Sequence, residues 1–419
     1  MTVDGSIPVR AMNDIQTHIL PNGLRVVHLH VPKAQAAHFG VAVRAGSSHE
    51  HDESQYGLAH FVEHTLFKGT LKRSAWHIIN RMENVGGELN AFTTKEDTVI
   101  YSDFPKNALV RAVELITDLI LHSKFPQNEI DRERGVICDE INSYLDSPAD
   151  AVYDEFEDLL YSGTPVGHNI LGTISSVENI TSQMCAQWLR QHYNTANMVV
   201  FYAGSTSMGS FLKKTEKFLI QIPASTSDKV VAFPWSPNKN FKEIRKNETH
   251  QAHTVVGCAL PRLDVEERVN MALLSNILGG PGMNSIFNVE LRERRGLVYN
   301  VESTVTNWAF STMFTTYFGC DPCDNDTCLK IIERELEKIA EGSITARRLV
   351  ASKRQYQGQM ILSRENVENR IISAARALLH NGYLMSIAQT KALLDDVSAS
   401  SMQKMAQRLT DLSCLTIMP

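Results

Sequence analysis

A chain of 419 residues, 43% of them hydrophobic, is long enough for two cores of ordinary domain size. Its 41 basic and 47 acidic residues give a net charge of −6 with no Lys/Arg run, which argues against a nucleic-acid partner. No stretch approaches the roughly 18 apolar residues that span a bilayer, the start MTVDGSIPVRAMNDIQTH has neither a secretory apolar centre nor an Arg- and Ser-rich transit character, and the seven cysteines are scattered and odd in number, so the expectation is a cytoplasmic protein with free thiols and no membrane partner.

Thr17 to Leu20 and Leu24 to Val31 are β-rich runs joined across the turn signal Pro21-Asn22-Gly23, and His38 to Ala45 reads as a further strand. The polar loop Gly46 to Gln55 leads into a helix over Tyr56 to Phe67. A second amphipathic helix, Ser74 to Val85, stops at Gly86-Gly87 and is followed by strands over Glu88 to Thr94 and Thr98 to Phe104. Helices over Asn107 to Ser123, Gln127 to Leu145 and Thr181 to His192 precede a strand at Met198 to Ala203. Residues 223–242, rich in Ser, Pro and Lys and without apolar periodicity, read as a linker.

Beyond it the order restarts. A strand (Ala252 to Ala259), a helix (Val265 to Leu278), a Gly-rich turn (Gly279 to Gly282), a helix (Ser285 to Arg294), two strands (Val298 to Thr306 and Ser311 to Gly319) and several helices lead to a last strand near Cys414 to Met418. Both halves end helix then strand, a faint internal duplication. The expected fold is α+β: two similar α/β-sandwich domains in tandem, 1–222 and 243–419, each an antiparallel-rich sheet packed with helices.

His60, Glu63 and His64 stand as His-x-x-Glu-His on the first helix. Positions i and i+4 lie one turn apart on one face, so the two imidazoles can share a metal ion. Glu63, one residue short, can reach a water on that ion without ligating it, as a general base must. An otherwise apolar helix, with Leu58, Phe61, Val62 and Leu66, has little reason to carry three such side chains unless they share a partner. A hydrolytic zinc needs a third ligand. On the helix Gln127 to Leu145, whose expected apolar face is Ile130, Val136, Ile137 and Ile141, Glu133 and Glu140 are two turns apart and point the same way. Glu140 is assigned as the ligand, Glu133 as a carboxylate orienting one, and Asp139 and Glu129 as solvated.

The segments GLAHFVEHTLFKGT (57–70), GGELNAFTTKEDT (86–98), ERGVICDEINSYLDSP (133–148) and LGGPGMNSIFNVELRERRGLVY (278–299) resemble the pitrilysin-type metallopeptidases, which include the mitochondrial processing peptidase and insulin-degrading enzyme. That resemblance covers nearly the whole chain. It implies one Zn2+ per chain on His60, His64 and Glu140, the last following His64 by the family's 76 residues, with Glu63 as base to a metal-bound water. Asp139 stands where the family usually has Glu, at a position that is not a ligand.

The resemblance further implies that Asn90, Ala91, Phe92 and Thr93 form an exposed edge that takes peptide substrate as an added strand. Arg292 and Tyr299 correspond to residues that hold the substrate and polarise its scissile carbonyl. In the family two half-size pieces close as a clamshell, so a homodimer with composite sites is implied, each site joining His60, Glu63, His64 and Glu140 of one subunit to Arg292 and Tyr299 of the other. The implied activity is a zinc endopeptidase or oligopeptidase; the alternatives are a processing-peptidase subunit for one protein substrate and a non-catalytic scaffold of the same fold. Cys320, Cys323 and Cys328 lack a fourth ligand and are not taken as a metal site, Gly279 to Gly282 lacks the Lys of a phosphate loop, and His49 and His51 are expected to be solvated.

Overall fold

The computed structural model describes residues 15–225, 240–409 and 411–419. In chain order the first half holds β1 (Ile15–Ile19), β2 (Arg25–His30), β3 (Ala36–Val43), α1 (Leu58–Leu66), α2 (Ala75–Glu83), β4 (Glu88–Thr93), β5 (Thr98–Pro105), α3 (Leu109–His122), α4 (Gln127–Leu145), α5 (Pro148–Leu160), α6 (Ile174–Asn179), α7 (Ser182–His192), β6 (Met198–Gly204) and α8 (Met208–Leu219). The second holds β7 (Lys242–Lys246), β8 (Ala252–Pro261), α9 (Val265–Gly279), a π-helix (Asn288–Glu293), β9 (Val298–Asn307), β10 (Ser311–Cys320), α10 (Asn325–Ala340), α11 (Ala346–Ser363), α12 (Val367–Asn381), α13 (Ile387–Asp396), α14 (Ala399–Gln407) and β11 (Ser413–Met418).

The first sheet has the order β1-β2-β6-β3-β5-β4 and the second β7-β11-β8-β10-β9. Apart from β1, the second sheet repeats the first: a parallel pair (β2 with β6, β7 with β11) followed by three antiparallel pairings. The duplication that is faint in the sequence is therefore plain in the topology. One face of the first sheet packs on α1, α3, α4, α7 and α8, and the matching face of the second on α9, α10 and α14.

The opposite faces are covered by exchange. Ala151, Val152, Phe156 and Leu160 of α5 pack on Val255, Leu415 and Ile417 of the second sheet. Ile371, Ile372, Ala375 and Leu379 of α12 pack on Val27, Ala42, Val199 and Phe201 of the first. At about 2 kcal/mol for each fully buried Ile or Leu, the side chains of α12 alone join the halves by several kcal/mol. Ion pairs reinforce this, since buried Asp97, next to the β4–β5 turn, accepts from both Arg376 and His380 of α12.

Several elements differ from expectation. The linker read over 223–242 lies mostly in 226–239, outside the described residues, and its last residue opens β7. That strand, Lys-Glu-Ile-Arg-Lys, is exposed throughout and held by backbone pairing to β11, so it offers no apolar pattern to read. The helix expected over Ser285 to Arg294 is wound as a π-helix, which buries Asn288 and Leu291 and turns Arg292 outward. Val136 is 49% exposed, because the buried face of α4 runs through Ile130, Glu133, Ile137 and Ile141 and Val136 falls on its flank. No helix among the described residues is long and apolar enough to cross a membrane.

Candidate metal centre

Gly57, at the start of α1, adopts φ +89°, and a Cβ there would stand 2.5 Å from the carbonyl oxygen of Leu171. No Ser, Thr or Asp of the helix's own sequence caps this end. The cap is supplied by Glu50: its carboxylate accepts from Gly57 N at 3.0 Å and from Ala59 N at 2.9 Å, and His168 Nε2 lies 2.9 Å from the same carboxylate. Tyr56 stacks on the His168 ring at 3.8 Å, and buried Lys95 donates to the His168 carbonyl. Burial pushes the Glu50 pKa up, while His168 and the two amides pull it down. An anionic acceptor at a helix N-terminus is favourable, and here it fixes the first turn of α1 directly before His60.

Leu58, Phe61, Val62, Thr65 and Leu66 bury the core face of α1 against α4, α7 and β4. His60 is buried, His64 is half-buried, and their rings lie 4.5 Å apart. From α4, Glu140 brings Oε2 to 3.9 Å from His60 Nε2 and 3.7 Å from His64 Nε2. These separations are too long for hydrogen bonds. Donors on a tetrahedral zinc stand roughly 3.4 Å from one another, so the spacing is close to what an ion would impose. The donor set, two imidazoles and a carboxylate, fits zinc with an open position.

His64 Nδ1 faces Glu133 Oε2 at 3.2 Å, which leaves Nε2 turned toward Glu140. Glu133 is buried and is itself held by Lys68 Nζ at 2.7 Å. Burial and the neighbouring His64 push the His60 pKa down to about 3, so this ring is in the neutral form that can ligate.

Glu63 stands beside this group and outside it. Its Oε2 accepts from Thr93 Oγ1 at 2.6 Å. Burial pushes its pKa above the usual carboxylate value and Glu140 adds to that, while the Thr93 hydroxyl and His64 pull it back. Thr93 ends β4, the edge strand of the first sheet, so one strand offers both a free backbone edge and the hydroxyl that orients Glu63. The sequence expectation for Glu63 is that of a base, which must be ionised to accept a proton, so under that expectation the rate falls as pH drops through its pKa. Thr93→Val, which removes a bond that favours the ionised form, is expected to move the acid limb of a kcat/KM profile to higher pH and to lower the plateau about 10-fold; an unmoved limb would count against this role for Thr93.

Arg292 and Tyr299 stand elsewhere. Tyr299 is 58% exposed, with its hydroxyl 3.5 Å from Asp321, and the exposed Arg292 side chain makes no ion pair or hydrogen bond among the described residues. No hydrogen bond joins either of them to the His60 group among those residues.

The Insulinase (Peptidase family M16) profile matches residues 25–174, and the Peptidase M16 inactive domain profile matches residues 179–356. A Streptomyces coelicolor protein described as an uncharacterized zinc protease is 32% identical over 397 residues, covering 93% of this chain and 85% of the relative. The chain belongs to peptidase family M16. Also similar is the mitochondrial-processing peptidase subunit beta of Saccharomyces cerevisiae, 26% identical over 411 residues and covering 95% of this chain and 88% of that one. A protease from Helicobacter pylori shares the fold with a TM-score of 0.88 at 21% identity, over 97% of this chain and 99% of the other. This is a half-size, pitrilysin-type M16 chain whose relatives are zinc proteases.

Within this M16 chain the sequence pattern missed Glu50, His168 and the bond from Thr93 to Glu63. Glu50 lies in a polar loop seven residues before Gly57 and His168 more than a hundred residues away, so no spacing rule marks either. His51 is exposed as expected, but His49 is largely enclosed against the ring of His192, and burial pushes its pKa down to about 4. Cys320 and Cys328 are buried and hydrogen-bonded to each other, while Cys323 is exposed.

Proposed function

We propose that this M16 chain is a zinc-dependent endopeptidase or oligopeptidase that hydrolyses bonds in peptides and unfolded segments. The observation that carries the reading is the convergence of His60, His64 and Glu140 on one point, with Glu63 beside it and committed to none of them. His60, His64 and Glu140 would hold one Zn2+, with Glu133 orienting His64. When bound, the ion supplies Lewis acidity that polarises the scissile carbonyl and makes water more acidic. Glu63 takes the proton from the attacking water and returns it to the leaving amine. Enclosure within the α1–β4 corner, which raises the proton affinity of Glu63, suits it to both steps.

The free edge of β4 at Asn90, Ala91, Phe92 and Thr93 would align substrate backbone as an added strand, a mode that tolerates many side chains. Arg292 and Tyr299, exposed and, among the described residues, joined by no hydrogen bond to the His60 group, are assigned to the centre of a second copy, which makes the working unit a homodimer with two composite sites. We place it in the cytoplasm and set the domain division at residues 223–242. A non-catalytic scaffold is disfavoured because all three donors and the base are present together.

Release of a quenched fluorescent peptide, with and without a chelator, tests the activity: loss on chelation and recovery with Zn2+ are expected, and chelator-resistant release contradicts the reading. Mixing Glu63→Gln with Tyr299→Phe chains tests the shared site. Each mutant homodimer lacks a complete site, whereas each heterodimer regains one, so random mixing should restore about a quarter of wild-type activity. A mixture no more active than its components rules sharing out.

A further inference from the structure

Among the described residues, one other set of His, Asp and Glu donors converges as those of the metal centre do: His38, Asp103 and Glu368, whose ligand-capable atoms all lie within 4.8 Å of one another. His38 on β3 stands directly opposite Asp103 on β5, which stands opposite Glu88 on β4, so three polar side chains form one row across the sheet. By the two-residue alternation of strands, this row shares a face with Ala42, Val99 and Phe92, the face on which α12 rests. Val367 anchors the start of α12 on that face, and Glu368, next along, meets the row from above.

Among the described residues the charges there do not balance. His38 Nδ1 lies 2.5 Å from Asp103 Oδ1, and Tyr101 hydrogen-bonds Glu368, yet no Lys or Arg among the described residues pairs with Asp103, Glu368 or Glu88. The side chains of His38 and Asp103 are only 17% and 25% exposed, so water screens this negative charge incompletely. One imidazole with two carboxylates from three separate elements is a donor set suited to a first-row divalent cation.

We propose that His38, Asp103 and Glu368 form a second divalent-metal site, distinct from the His60 centre, that clamps α12 of the second half onto the first sheet. The site reinforces the exchanged packing of the halves. It does not depend on the peptidase reading, since none of its residues belongs to that centre.

The test uses the full chain, stripped with a chelator, refilled with Zn2+ and freed of excess ion by gel filtration. Elemental analysis should then find two ions per wild-type chain, one in Glu140→Gln/His64→Gln, and none when Glu368→Gln is added to that pair. In the Glu140→Gln/His64→Gln background, Zn2+ should still raise the unfolding temperature, and either Glu368→Gln or His38→Gln should abolish that rise. Two independent replacements on different elements, both of which keep an acceptor for Tyr101, guard against misfolding in either. The proposal is overturned if Glu368→Gln and His38→Gln leave the ion count unchanged both in the wild-type chain and in Glu140→Gln/His64→Gln. Failure of the catalytic reading has a different signature: Glu140→Gln/His64→Gln would then leave the ion count at its wild-type value.

Discussion

Glu63→Gln is expected to leave the metal content of the His60 centre intact and to lower kcat by about 1,000-fold, within the usual range for loss of a general acid–base. The expectation follows from position. Glu63 is bound to Thr93 and shares no donor atom with the point on which His60, His64 and Glu140 converge. A Gln side chain keeps an oxygen for the Thr93 hydroxyl, so the fold should be undisturbed, but an amide cannot take the proton of an attacking water. Glu140→Gln should behave in the opposite order, losing metal first and activity as a consequence. Elemental analysis alongside steady-state kinetics separates the two. A Glu63→Gln protein that loses its zinc, or keeps more than about a tenth of wild-type kcat, is incompatible with the assigned role.

Glu50→Ala should cost about 3 kcal/mol of stability or more, a large effect for a residue outside the centre. Its carboxylate is the acceptor for two amides at the start of α1 and the partner of buried His168, so truncation leaves three polar groups buried without it. Glu50→Gln should cost less, since one oxygen remains to accept while the opposite end becomes a donor facing donors. Denaturant titration measures both, and zinc affinity should fall with stability because His60 follows directly from the turn that Glu50 fixes. An alanine variant within about 0.5 kcal/mol of wild type would mean that the cap contributes little.

The sequence makes local, periodic features easy to read. The i, i+4 histidines, the two-turn separation of Glu133 and Glu140, and the hairpin at Pro21-Asn22-Gly23 all follow from spacing along one element, and each is found as a convergent group or a paired ladder. The edge position of β4 follows only from family resemblance, because strand order depends on which strands meet in space. Harder still were contacts that join distant elements without a rule of spacing. Glu50 reaches α1 across a loop, His168 arrives from beyond α5, and α5 and α12 cover each other's sheets. Charged β7 shows the remaining difficulty: a strand held by backbone bonds and by ion pairs from Lys242 to Glu333 and from Arg245 to Glu155 leaves no apolar mark in the side-chain pattern.

The most direct measurement is anomalous diffraction at the zinc edge from crystals of the full chain grown with Zn2+. The expected result is a peak about 2.1 Å from His60 Nε2, His64 Nε2 and a carboxylate oxygen of Glu140, with Glu63 near but outside bonding reach. A peak that leaves any of those three side chains unbound, or no peak between α1 and α4, contradicts it.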